Sequence, residues 1–116
     1  MGKPAAQFLP LKPDVFETLL ALSQGELHGY GILKALESRG ISVAASLLYR
    51  KLRRLMDDDL VQESDVRPSA SEDDARRRYY RLTRLGEAVL KAEASRIVAL
   101  AKSGQVRKLA AGGSHA

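Results

Sequence analysis

The stretch 44–59, AASLLYRKLRRLMDDD, constrains the fold more than any other part of the chain. Leu48, Leu52, Leu55 and Met56 recur at the i, i+4, i+7, i+8 spacing of one helix face, while Ser46, Tyr49, Arg50, Arg53 and Arg54 fall on the other side. Such a helix has to press its apolar stripe onto a small core. Hydroxyl, phenol and guanidinium groups are then left to meet a polyanion. Taken alone, the run reads more economically as a solvated amphipathic helix, and only the residues after it tip the balance toward a recognition helix. Asp57, Asp58 and Asp59 close the run and repel phosphate, so contact is expected between Ser46 and Arg54.

With 116 residues, 45% of them apolar, the chain has room for one core and one element projecting from it. The formal net charge of +5 suits a polyanionic partner without identifying one. The segment 44–84 holds ten of the basic and eight of the acidic side chains, so a nucleic-acid reading rests on where the arginines point. No cysteine is present, which excludes disulfides, thiolate metal sites and cysteine nucleophiles, and agrees with a reducing compartment. No apolar run approaches the roughly 20 residues that span a bilayer, and the first ten residues lack the apolar region of a secretory signal. A cytoplasmic protein with no membrane partner is expected.

Residues 1–12, with Pro4 and Pro10, predict a flexible N-terminal arm, although Phe8, Leu9 and Leu11 are available for packing. From Pro13 the pattern turns helical, with Val15, Phe16, Leu19, Leu20 and Leu22 as an apolar face and Gly25 placed to end it. A second helix is predicted from about residue 28 to 38, with Tyr30, Ile32, Leu33 and Leu36 inward and Gly40 closing it. Ile41, Ser42 and Val43 alternate as a very short strand does. With the stretch 44–59 as a third helix, this is the pattern of a helix-turn-helix core.

A hairpin follows. Residues 60–65 and 77–82 are β-prone, and the segment between them has the Pro, Ser and Asp content of a loop. In a winged helix this loop is the wing, and Arg67, Arg76, Arg77 and Arg78 at its base suit phosphate contact. Thr83 can cap a long helix whose stripe of Leu85, Val89, Leu90, Ile97 and Leu100 runs to about residue 102. About 20 residues at 1.5 Å rise reach about 30 Å, more than a three-helix core covers. The rest of the stripe calls for a second copy of the chain. Residues 13–82 are thus read as a winged-helix domain, 83–103 as a dimerisation helix and 104–116 as a disordered tail. The fold class is mainly α with a small β-hairpin.

The residues 20–36 with HGY at 28–30, the run LYRKLRRLMDDDLV at 48–61, RRYYRLTRLG at 77–86 and the helix after it resemble the PadR family of bacterial winged-helix transcriptional regulators. The resemblance covers about residues 13–103. Two features depart from it: members usually carry a small hydroxyl residue before the Leu-Tyr pair or in place of Leu48, where this chain has Ser46, Leu47 and Leu48, and Asp59 stands where they usually carry glycine. The resemblance implies a homodimeric, DNA-binding repressor that answers a small-molecule effector, without any other cofactor. DNA contacts are expected from Ser46, Tyr49, Arg50, Lys51, Arg53 and Arg54 on the helix and from the four wing arginines. The alternative is a winged-helix protein-interaction module that no longer binds DNA. An enzyme is not expected. There is no paired-carboxylate spacing, no phosphate-binding glycine loop and no nucleophile with a base, and His28 lacks the neighbours of a metal ligand.

Overall fold

Proline and glycine punctuate the helices. In the computed structural model, which describes residues 4–64 and 78–112, α1 (Pro13–Leu22) begins on Pro13, whose missing N–H costs nothing in a first turn. It ends ahead of Gly25, which has φ +141°. A two-residue strand, β1 (Leu27–His28), leads straight into α2 (Gly29–Ser38). α2 closes as a Schellman turn: Gly40 has φ +81°, Gly40 N–H donates to Glu37 O at 2.9 Å and Ile41 N–H to Leu36 O at 2.9 Å. Then come α3 (Ala45–Asp57), β2 (Val61–Ser64), β3 (Tyr79–Leu82), α4 (Arg84–Lys102) and α5 (Gly104–Gly112).

The sheet order is β1-β3-β2, antiparallel throughout, with Leu27 opposite Tyr80, His28 opposite Tyr79, and Val61 opposite Leu82. The hairpin of β2 and β3 therefore has a third strand, and it is not the one predicted. Residues 41–43 form no strand, because Ile41 spends its N–H on closing α2. Leu27 and His28, extended before the α2 N-terminus, take the edge of β3 instead. Neighbouring Tyr79 and Tyr80 point to opposite faces, yet both are buried. Tyr80 enters the core and Tyr79 lies under the His28 ring, with centroids 5.4 Å apart.

The core gathers Leu19 and Leu22 of α1, Ile32 and Leu36 of α2, Leu48, Leu52 and Leu55 of α3, Leu60, Val61, Tyr80, and Val89 and Leu90 of α4. Each fully buried leucine contributes about 1.5–3 kcal/mol relative to its exposed state. Tyr30 is not among them: it is 59% exposed, since the inward face of α2 runs through Ile32 and Leu36 and turns Tyr30 out beside Lys34.

The turn after α3 is locked onto the start of α4. Asp59 takes the left-handed conformation with φ +62°, Asp59 N–H donates to Met56 O at 3.0 Å and Leu60 N–H to Leu55 O at 2.9 Å, a Schellman turn with aspartate where glycine is the easier residue. Thr83 caps α4, as its sequence position predicts, by accepting from Gly86 N–H at 2.9 Å, and its hydroxyl donates to Asp59 O at 2.5 Å. Gly86 is pressed so closely on the Leu60 carbonyl that an added Cβ would lie 3.0 Å from the carbonyl carbon and closer still to its oxygen.

Regular structure extends on both sides of the core into segments where the sequence predicts none. Ala5–Phe8 forms a 3-10 helix against α4, and Leu11 N–H donates to the Glu93 carboxylate at 2.8 Å. Residues 104–112, expected as part of a disordered tail, form α5, with its side chains exposed.

Candidate nucleic-acid interface

Leu48, Leu52 and Leu55, at 0%, 1% and 5% exposure, anchor α3 from beneath. That fixes the rotation of the helix. Ser46, Tyr49, Arg50, Arg53 and Arg54 stand exposed along its other side. Among the described residues Arg50 and Arg53 form no ion pair, and Arg54 has only a loose one with Asp58 at 3.9 Å. Lys51, grouped by sequence with the DNA contacts, sits apart from these arginines. It points to the flank of the helix and pairs with Asp14 of α1, whose carboxyl it holds below the ordinary value. The reason is angular: Lys51 lies between the exposed arginines and the buried stripe, within reach of the first turn of α1.

A second pair, Glu17 with Arg39 at 2.8 and 3.1 Å, ties α1 to the end of α2. The helices behind α3 are thus joined by charge as well as by the core. α1 offers its acidic first turn to Lys51, and the cations of α3 without an ion pair among the described residues are outward ones.

Of the wing arginines, Arg67, Arg76 and Arg77 lie outside the described residues. Arg78 precedes β3, is exposed and pairs with Glu63 of β2 at 3.3 Å. Arg81 reaches Glu26 at 3.9 Å. Between the start of α2, the outer edge of α3 and β3 lies a cleft of about 480 Å³ that sequence reading missed, lined by His28, Tyr30, Tyr49, Arg53, Arg78 and Tyr80 among others. Gly29 makes it possible. A Cβ there would lie 2.8 Å from Tyr49 Cζ, so only a bare backbone lets the phenol approach the first residue of α2 this closely. The HGY motif at 28–30 therefore works through all three members: a ring stacked on Tyr79, a backbone that admits Tyr49, and a tyrosine turned outward.

The stripe expected to pair two copies divides in two. Val89 and Leu90, at 0% and 8% exposure, belong to the protomer's own core, and Leu85 packs against it. Ile97 and Leu100, at 38% and 53%, are open, as are Val98 of α4 and Val106 and Leu109 of α5. The sequence reading also passed over Glu93, 1% exposed, which accepts from Leu11 N–H and from Arg96 Nε at 2.5 Å. Its signal was present in the pattern, since position 93 falls on the inward stripe of Gly86, Val89 and Leu90, where a lone carboxylate needs partners.

Three helices, a three-stranded sheet and a long following helix define a winged helix-turn-helix protein. Residues 18–92 match the Transcriptional regulator PadR-like family, and the chain belongs to that family. Among solved structures, a PadR family transcriptional regulator from Eggerthella lenta is 33% identical, with 79% of each chain covered and a TM-score of 0.57. A PadR-like transcription factor from Bacteroides fragilis is 32% identical, covering 70% of this chain and 77% of that one at a TM-score of 0.58. Bacillus subtilis PadR, solved in complex with operator DNA, is 23% identical at a TM-score of 0.58; the match spans 72% of this chain and 46% of that one. Among curated proteins none matches the sequence. No helix among the described residues is long and apolar enough to cross a membrane.

Proposed function

We propose that the protein is a transcriptional regulator that binds duplex DNA as a homodimer, each α3 entering a major groove about 34 Å from its mate. The observation that carries this reading is the divided helix: Leu48, Leu52 and Leu55 hold it rigid while Ser46, Tyr49, Arg50, Arg53 and Arg54 stand clear of the protein. Guanidinium groups in that position can donate in pairs to guanine or to phosphate. Membership of a regulator family, and a relative solved on operator DNA, support the same conclusion. A dimer seated on its operator blocks access to it, which makes repression the direct consequence.

The partner copy would cover Ile97, Val98 and Leu100 of α4 with Val106 and Leu109 of α5, an apolar surface that the protomer leaves open. We assign a small-molecule effector to the open cleft of about 870 Å³ between the end of α1, β3 and α4, where Leu22, Leu82 and Leu90 are among the walls. It lies beside the helix assigned to pairing, so a ligand there could alter how two α3 helices are spaced. Selection of bound duplexes from a random pool at about 0.15 M salt tests the main reading. An enriched inverted repeat, with affinity falling steeply as salt rises, is the expected result. Recovery of no sequence, together with retention that salt does not change, would count against DNA binding.

A further inference from the structure

All four tyrosines of the chain gather around one cleft. Tyr30, Tyr49 and Tyr80 line it and Tyr79 lies behind it under His28, although positions 28–30, 49–56 and 78–80 are far apart in sequence. Two arginines, Arg53 of α3 and Arg78 before β3, line the same space, and none of its described lining residues is acidic. Glu63 sits beside the cleft, where it pairs Arg78 at 3.3 Å and so restrains that side chain. Lys34, one turn beyond Tyr30, approaches the ring to 5.4 Å and extends the positive edge. Burial holds the Tyr80 phenol above its ordinary value, so its hydroxyl remains protonated at any physiological pH.

The location matters as much as the chemistry. Tyr49 and Arg53 belong both to the exposed side of α3 and to the cleft wall, so a duplex lying along α3 passes over the cleft mouth. We propose that this cleft seats one phosphodiester of the duplex, with Arg53 and Arg78 supplying the charge and the Tyr30 and Tyr49 hydroxyls donating to the phosphate oxygens. The seat sets the register of α3 in the groove and reads no base. It rests on the DNA-binding reading above, and it adds Tyr30 to the expected contacts and joins Arg78 of the wing base to Arg53 of α3 at a single phosphate.

The test uses the full-length protein with two duplexes, one of mixed sequence and one recovered by selection. Tyr30→Phe removes a single exposed hydroxyl, and Arg78→Ala a single exposed cation; circular dichroism confirms that both variants are folded. Each is expected to bind both duplexes more weakly by a similar factor, about tenfold for Arg78→Ala. That variant should also reduce the slope of log affinity against log salt by about one ion. On the selected duplex, one neutral methylphosphonate at the seated position should weaken the wild type and make it insensitive to Arg78→Ala. Normal binding by both variants, or a loss confined to the selected sequence, overturns the seat while leaving DNA binding intact. Failure of the wild-type protein to bind either duplex overturns the DNA-binding reading and the seat with it.

Discussion

Asp59 shows how a single residue can carry strain for the sake of a joint. Its φ of +62° completes the Schellman turn after α3, and its carbonyl accepts the hydroxyl of Thr83, the residue that caps α4. A non-glycine residue in this conformation costs about 1–2 kcal/mol, somewhat less for aspartate. Asp59→Gly is therefore expected to stabilise the protein by about 0.5–1 kcal/mol, after allowing for the extra freedom of glycine in the unfolded chain. Urea titration followed by circular dichroism measures it, and a lower midpoint would show that the carboxylate has a stabilising role the turn geometry does not account for. The sequence made this position legible as a departure from the glycine that the family resemblance implies there. The left-handed backbone that makes the departure costly became visible only in the fold.

At the scale of the element, the cations of α3 have different duties according to their angle around the helix. Lys51 is spent on Asp14, whereas Arg53 is free among the described residues and lines the tyrosine cleft. Lys51→Ala should leave duplex affinity within about twofold and lower stability by about 0.5 kcal/mol, the ordinary value of a partly exposed ion pair. Arg53→Ala should weaken binding about tenfold or more at unchanged stability. Gel-shift titration and thermal melts on the same two variants separate these duties, and equal affinity losses would place Lys51 back on the DNA face. Between the N-terminal segment and α4, Glu93 plays a purely internal part. The Arg96 guanidinium, assisted by Leu11 N–H, holds its carboxyl below the ordinary 4.5. Because the folded value is the lower one, the stabilisation is complete above about pH 4.5 and is lost as pH falls through the folded value. As pH falls below about 4.5 the wild-type melting temperature should drop by more than that of Glu93→Gln, which should already be destabilised at pH 7 by about 1–3 kcal/mol. Parallel curves for the two proteins would rule out Glu93 as the fastening of the N-terminal segment.

For the whole molecule, the open question in the fold is what covers the apolar side chains of α4 and α5. Leu100, at 53% exposure, and Leu109, at 71%, keep more than half of their surface open in the protomer. Leu100→Asp is expected to convert a dimer into a monomer, read as a halved mass by light scattering, and to weaken DNA binding because two linked half-sites bind together far more tightly than one. Val89→Asp is not an equivalent test, since Val89 is fully buried within the protomer and its loss would unfold the chain. A wild-type protein that is already monomeric at the concentrations where it binds DNA would remove the paired-helix arrangement.

The chain by itself determined the winged-helix class, the register of α3 and the cap at Thr83. All of these follow from local spacing, where an apolar residue every three or four positions or a hydroxyl three residues ahead of an amide fixes geometry without reference to distant chain. What only the tertiary structure decided is every arrangement between segments far apart in sequence. Such arrangements include the capture of β1 by β3, the Leu11–Glu93 fastening, the Gly86 contact with Leu60, and the division of one stripe into a core half and an open half. The stretch 44–59 lies on both sides of that line. Periodicity alone put its arginines opposite its leucines, but the neighbouring α1 claimed Lys51, and the neighbouring α2 and β3 turned Tyr49 and Arg53 into the wall of a cleft. A helical pattern specifies which side chains share a face, and packing then decides what each face meets.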